Sequence, residues 1–481
     1  MINRKITLVI LCFSLLFLSF YIYQVPYAIS IDRLTFIIGF VFSIYILFFL
    51  TKEKNQRVKR QYLSLSRFFI IGYTIVFFQN YIDLLLGFTD WDHYLSVAYP
   101  KAVCKSAVIS LSGFICFCIG YLLYRNSRYR KRQSKKEYTP LKIIKLLTLV
   151  TFIIYINSMD RNYINGGYGE VEIAGTVGFI GYFLEALLYG VIILYSINCS
   201  SNTMKDIGII SYIRGLGWFN AVLGAYLFMV LLSGDRGAIL FFFLAYSYSY
   251  ICYSKRTVSG KTIFVLILIG GFIFTILGIA RNVQDFKGNK LEQIDIALQM
   301  VSEKEKTSFF LPTKELANSV RTLHAAVESS VTQRNPYFYG KYQLYQILSS
   351  LPFMGTVLLE SGMYTTDSSH SSHYITFLLQ GDSPSYGDGT SCNAELFLDF
   401  GYWGVCIGLF LFGLFCRKTD IVECEHRSAS LFFYILMIVY FSYCIGLARD
   451  SILFPFKRAI LVYLICVIYK YFIKYFSTNK S

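Results

Sequence analysis

Cys104-Lys-Ser-Ala-Val-Ile-Ser-Leu-Ser-Gly-Phe-Ile-Cys-Phe-Cys-Ile-Gly-Tyr-Leu-Leu-Tyr124 runs directly into Arg125-Asn-Ser-Arg-Tyr-Arg-Lys-Arg-Gln-Ser-Lys-Lys136. The first stretch carries a single charge, Lys105, and as a helix it is long enough to cross a hydrocarbon core of roughly 30 Å. Lipid offers no partner to backbone N–H and C=O groups, so a helix is the only form such a run can take there. The second stretch is a dense basic block that holds its end of the helix on one side of the membrane.

The pattern repeats outward in both directions. The 481 residues are 55% hydrophobic and 18% aromatic, and only 15% charged, against roughly 25% charged residues in soluble domains. Mean hydropathy is +0.51. About twelve apolar runs are long enough to span, near residues 6–24, 33–50, 68–88, 104–124, 143–157, 176–197, 215–233, 237–253, 262–280, 396–416, 429–447 and 457–475. The fold class is therefore an all-α polytopic membrane protein. The first run lacks a small-residue cleavage site before Gln24-Val-Pro26 and is read as a retained span rather than a signal peptide.

Lys and Arg crowd alternate connections: the block Arg125–Lys136 is one, and Lys52, Lys54, Arg57, Lys59 and Arg60 form another. The short loops between them hold only scattered bases such as Arg33, Lys101 and Arg161. This asymmetry predicts both termini on the cytoplasmic side and the long connection at 281–395 on the outer side of the membrane. The net charge of +16 then reflects topology and contact with anionic headgroups, and implies no nucleic-acid partner. Of twelve cysteines most lie inside spans, Cys116 and Cys118 among them, and only Cys392 belongs to the long connection. No Cys/His spacing suits zinc or a redox pair, so no metal and no cofactor are expected.

Three regions are expected: spans 1–280, an external insertion at 281–395, and spans 396–481. An insertion of this length is far beyond the roughly 12–15 residues tolerated without structure. Leu291–Val301 and Lys314–Glu328 carry apolar residues three and four apart, as amphipathic helices do. Tyr337–Gly355 is aromatic enough to lie at the interface, and Thr365–Ser391, rich in Ser, Gly, Asp and Thr, is expected to be a flexible polar segment.

Arginines at the expected outer boundary are the first chemical signal. Arg236 lies in a tight turn beside Gly234 and Gly237, Arg281 follows the ninth run, and Arg449 ends the eleventh. Such groups suit a lipid diphosphate, although each could instead snorkel to the headgroups. Arg321 and Arg334, within the insertion, are further candidates for the same anion. Glu395, Asp388 and His373 are the expected acid–base groups, a carboxylate in a partly dry site being suited to taking a proton. The bland alternative is that Glu395 orients its helix and that His370, His373 and His324 are inert. Asp399, one turn beyond Glu395, is expected to meet an arginine. Asp83, Asn80 and Glu185, inside spans, either line a cavity or bond helices together.

Three motifs carry a resemblance: Leu232-Ser-Gly-Asp-Arg-Gly-Ala238, Ala280-Arg-Asn282, and Asn393-Ala-Glu-Leu-Phe-Leu-Asp-Phe-Gly-Tyr-Trp-Gly-Val405. Together with the span count they resemble the bacterial oligosaccharide repeat-unit polymerases of O-antigen and capsule assembly (Wzy-type). That resemblance implies a fold similar to the C-type membrane glycosyltransferases. It also implies transfer of a growing chain from its undecaprenyl-diphosphate carrier to a sugar hydroxyl of the next lipid-linked unit, with a chain-length-determining co-polymerase as partner. O-antigen ligases are the nearest rival, but they carry a histidine where this chain has Cys392. A flippase for the same lipid-linked sugars is the alternative from another class. Two similar halves with broken helices would mark it, and the sequence shows neither.

Overall fold

The computed structural model describes residues 2–25, 30–53, 55–88, 102–124, 139–164, 175–201, 208–233, 235, 237–254, 258–262, 265, 308, 310–332, 337–425 and 429–478. Arg236, Arg281 and Arg334 lie outside them, as do the basic block at 125–136, the stretch 291–301 and nearly all of the ninth run.

Before the insertion the described helices of eight or more residues are α1 (Arg4–Gln24), α2 (Ile31–Leu50), α3 (Leu65–Leu85), α4 (Val103–Leu123), α5 (Lys142–Ser158), α6 (Gly175–Ser201), α7 (Ile209–Leu216), α8 (Phe219–Ser233) and α9 (Gly237–Ser254). The insertion contributes α10 (Val320–Thr332), α11 (Lys341–Leu348) and α12 (Ser371–Gln380), and the chain ends with α13 (Cys392–Glu425), α14 (Leu431–Ser442) and α15 (Phe454–Thr478). Side chains of Asn3, Ser30 and Ser430 cap α1, α2 and α14 by accepting first-turn backbone N–H groups. Among the described residues there is no strand, only an isolated pairing of Ile2 with Thr51.

Among the described residues eight helices are long and apolar enough to cross a membrane, and α7 with α8 makes a ninth if that pair, bent by 90°, is one span. Of the other expected spans, the fifth is the 17-residue α5 and the eleventh is the 12-residue α14. The bend falls at Gly217, whose φ of 58° suits glycine. There Lys145 Nζ donates to the Leu216 carbonyl at 2.7 Å, meeting an acceptor that the bend leaves open.

The core is built on α4, buried nearly end to end, and its long contact with α13. Small residues allow that approach. A Cβ on Gly120 would collide with the Phe410 carbonyl, and one on Gly413 with the Phe117 carbonyl. Lipid supplies little hydrophobic drive between helices, so this kind of backbone proximity holds them together. α1, α2 and α3 complete the group around α4, while α5, α6, α9, α14 and α15 pack with one another beside it.

α13 is broken at Gly401, where φ is 64° and ψ is −152°. The break frees two carbonyls, and the insertion fills them: Phe338 N–H donates to Leu398 O at 2.9 Å and Tyr339 N–H to Asp399 O at 3.0 Å. The expected flexible segment 365–391 instead contains α12 and the short helix Thr366–Ser369. Ile375 explains part of that order, being wholly buried despite its polar neighbours.

Candidate functional site

One end of the bundle gathers the start of α13, the end of α3, the 3₁₀ turn Gly446–Arg449 and the insertion. Glu395, on the first turn of α13, lies at its centre and is 1% exposed. Both carboxylate oxygens are filled by neutral donors. Gln343 Nε2 (2.7 Å) and Ser451 Oγ (2.6 Å) donate to Oε1, and Gln346 Nε2 (2.9 Å) and Ser371 Oγ (2.7 Å) donate to Oε2. The two glutamines stand three apart on one face of α11. Three separate chain segments thus converge on one carboxylate of a fourth, which acts as the hub of this end.

Among the described residues Asp399 pairs with no arginine. It accepts the backbone N–H groups of Tyr342 (3.3 Å) and Gln343 (3.1 Å), capping the N-terminus of α11. The open amides of this helix start supply the positive end that a carboxylate seeks, and the other candidate arginines, Arg236, Arg281 and Arg334, lie outside the described residues. Asn393 reaches inward, donating to Tyr73 Oη at 2.7 Å and tying α13 to α3.

Asp388 and Arg321, expected in separate roles, form an ion pair with side chains 0% and 17% exposed. Gln380 Nε2 donates to Asp388 Oδ2 at 2.6 Å, and the Asp388 N–H donates to Thr376 Oγ1 at 3.0 Å. The Arg321 guanidinium also lies 5.9 Å from the Tyr386 ring centroid. Next to this pair, Thr322 Oγ1 donates to Ser391 Oγ at 2.9 Å.

The polar residues of α3 serve as bonds to the insertion. Asp83 accepts from Ser308 Oγ at 2.7 Å and stands 3.4 Å from Lys314 Nζ, which donates to Asn80 Oδ1 at 2.9 Å. Thr313 Oγ1 donates to Gln79 Oε1 at 2.6 Å. His324 is buried, its Nε2 2.7 Å from Tyr81 Oη. Glu185 pairs with Arg458 of α15 and accepts from Tyr226 Oη at 2.6 Å. These groups bond helices together.

The open charges lie nearby. Arg449, 43% exposed, stands 3.7 Å from Glu315, 52% exposed. His373 is exposed and its ring centroid is 5.7 Å from that of His370. Asp450 follows Arg449 where the backbone turns extended (φ −129°, ψ −178°). One of its oxygens accepts the Ser451 N–H at 2.9 Å, and the other takes no hydrogen bond from the described residues. Asp450 is half-buried and within electrostatic reach of Glu395.

Asp450 stands next to the expected Arg449 but is not itself among the residues expected from the sequence. Nor are Gln343, Gln346, Ser371 and Ser451, neutral residues without a pattern that marks them. No group of three or more His, Cys, Asp or Glu side chains among the described residues is arranged to hold a metal ion.

The sequence model of the family described as O-antigen polysaccharide polymerase Wzy matches residues 6–480. No curated protein and no solved structure matches the chain.

Proposed function

The chain belongs to the O-antigen polysaccharide polymerase Wzy family, and from that premise we propose that it joins undecaprenyl-diphosphate-linked repeat units at the periplasmic face of a bacterial inner membrane. As a member it is a glycosyltransferase-type polymerase of O-antigen polysaccharide and a multi-pass membrane protein. The match across nearly the whole chain is the observation that carries this reading. In the proposal both termini are cytoplasmic, and residues 281–395 form a periplasmic region closing over the start of α13. A chain-length-determining co-polymerase is the proposed partner.

The growing chain leaves its carrier as the bond from its anomeric carbon to the diphosphate breaks, and a sugar hydroxyl of the incoming unit forms the new bond. Negative charge builds on the departing diphosphate, and fixed guanidinium groups stabilise it as it forms. Arg449, exposed at this end, is the proposed group for that role, with Arg236, Arg281 and Arg334 as its proposed companions. Arg321 is held by Asp388, so in this reading it braces the insertion and reaches the anion only if that pair opens. Glu395 sets the relative positions of α11, α12 and Ser451, and His373 is left as an exposed group at the rim.

A gel of surface polysaccharide from a deletion strain tests the reading. Loss of the gene is expected to leave single repeat units on the surface, and the restored gene to return a ladder of lengths. A ladder that persists in the deletion strain overturns the proposal. Lipid-linked units trapped facing the cytoplasm would make the chain a flippase, and full polymer left unattached on its carrier would make it a ligase.

A further inference from the structure

Joining two sugars requires a group to take the proton of the attacking hydroxyl, and the most central carboxylate at this end is closed to that task. Glu395 already accepts four hydrogen bonds. Asp388 is held by Arg321 and Gln380, Asp399 caps α11, and Asp83 is held by Ser308 and Lys314. Each would have to lose a partner before a sugar could reach it. Asp450 differs in combining half burial with one oxygen that no described residue occupies.

We propose that Asp450 is the general base of the polymerase, taking the proton from the acceptor sugar hydroxyl as that oxygen bonds to the anomeric carbon of the donor. The inference rests on the polymerase reading above. The proton moves to the Asp450 carboxylate, the new C–O bond forms, and the old C–O bond gives its electron pair to the departing lipid diphosphate. Asp450 then returns the proton to water or to the diphosphate, so nothing is oxidised and no co-reactant is needed.

The neighbouring residues fit this role. Ser451 is pinned by its 2.6 Å hydrogen bond to Glu395, so the buried hub holds the residue next to the base. Arg449, on the other side, brings a guanidinium to the same turn for the leaving group. Burial lifts the Asp450 carboxyl to about 6, against the opposing pull of the Ser451 N–H and Arg449. A base with that affinity is mostly ionised at neutral pH and still binds a proton usefully.

The test complements the deletion strain with Asp450→Asn, Asp450→Glu and, as a control, the exposed Asp382→Asn. Polymer is measured by gel and divided by the amount of protein in the membrane. Asn matches Asp in shape but cannot take the proton, whereas Glu keeps the carboxylate and alters the shape. The expected order per molecule is therefore Asp382→Asn equal to the parent, Asp450→Glu reduced, and Asp450→Asn lowest. The last loss is expected to be about 10²–10⁴-fold, with single units remaining at the surface. Polymer from Asp450→Asn within tenfold of the parent, or at least equal to that from Asp450→Glu, overturns the assignment. Because abundance is divided out, poor folding of one variant does not hide the order of the other two. A deletion strain that keeps its ladder sinks the polymerase reading, whereas an active Asp450→Asn in a strain that lost its ladder sinks the base alone.

Discussion

The two ends of the helical bundle treat charge in opposite ways. At the end where α13 finishes, Arg417 binds Glu53 through two contacts of 2.8 and 3.0 Å and donates to Tyr121 Oη at 3.2 Å. Tyr121 donates to Asp420 at 3.0 Å, Gln61 Nε2 to Glu423 at 2.7 Å, and Tyr248 Oη to Glu423 at 2.8 Å. Arg417, Asp420 and Glu423 are all buried, so this network knits α4, α9 and α13 to the connection between α2 and α3 and faces inward. At the end where α13 begins, the centre is a carboxylate fed by neutral donors, and Arg449, Asp450 and His373 are left open around it. A sealed network favours rigidity, while an open rim of charge above a rigid hub is where a charged substrate can be held. The proposed function puts catalysis at the second end and anchoring at the first.

Breaking the sealed end is expected to have the largest effect. Arg417→Met leaves Glu53 without its buried partner and is expected to cost about 3–5 kcal/mol of stability. The protein should nearly vanish from membranes on an immunoblot, and abundance close to that of the parent would remove the contrast between the ends. Glu395→Gln strikes the hub. It turns an acceptor of four bonds into a group that must also donate, for an expected cost of about 1–3 kcal/mol. Thermal unfolding in detergent should shift down measurably, and an unchanged transition would show that the hub bears no load.

The rim should respond to pH. Asp450 is raised from the ordinary 3.8 to about 6, so the native chain holds this proton more tightly than the unfolded one. Its contribution to stability is full below about 3.8 and is lost as pH rises through about 6. Activity should run the other way, since the ionised form does the work. Polymer made by membrane vesicles should rise roughly tenfold per unit below about 6 and level off above it. Among the described residues, Arg449, Glu395 and Cys392 are the charged or titratable groups that act on Asp450 or feel its charge. A flat profile from pH 5 to 8, or one that falls, would count against it. The smallest effect on stability is expected from Arg449→Ala, about 0–1 kcal/mol, because solvent screens its exposed pair with Glu315. Polymer length should nonetheless shorten, which unfolding measurements alone would not foresee.

Much of the fold was legible because spanning helices follow from a simple count of apolar residues. Runs 6–24, 33–50 and 104–124 recur as α1, α2 and α4 within a few residues. The run at 215–233 became a bent pair, since periodicity does not report the direction taken after Gly217. Order in 365–391 was missed because its polar composition hides Ile375, whose burial depends on distant partners. At the site, Glu395 stood out by type and place, whereas its donors did not. Gln343, Gln346, Ser371 and Ser451 become a cage only when α11, α12 and the turn before α15 meet.

What the sequence determined alone was solvent: twenty apolar residues in a row cannot stay in water, and backbone in lipid must be helical. The tertiary structure alone decided which charges are spent and which are open. Arg321 and Asp388 lie 67 positions apart, and no spacing rule reveals that they neutralise each other. The reason is physical. Helix formation is set by neighbours along the chain, but the fate of a buried charge is set by whatever packing brings within a few ångströms of it.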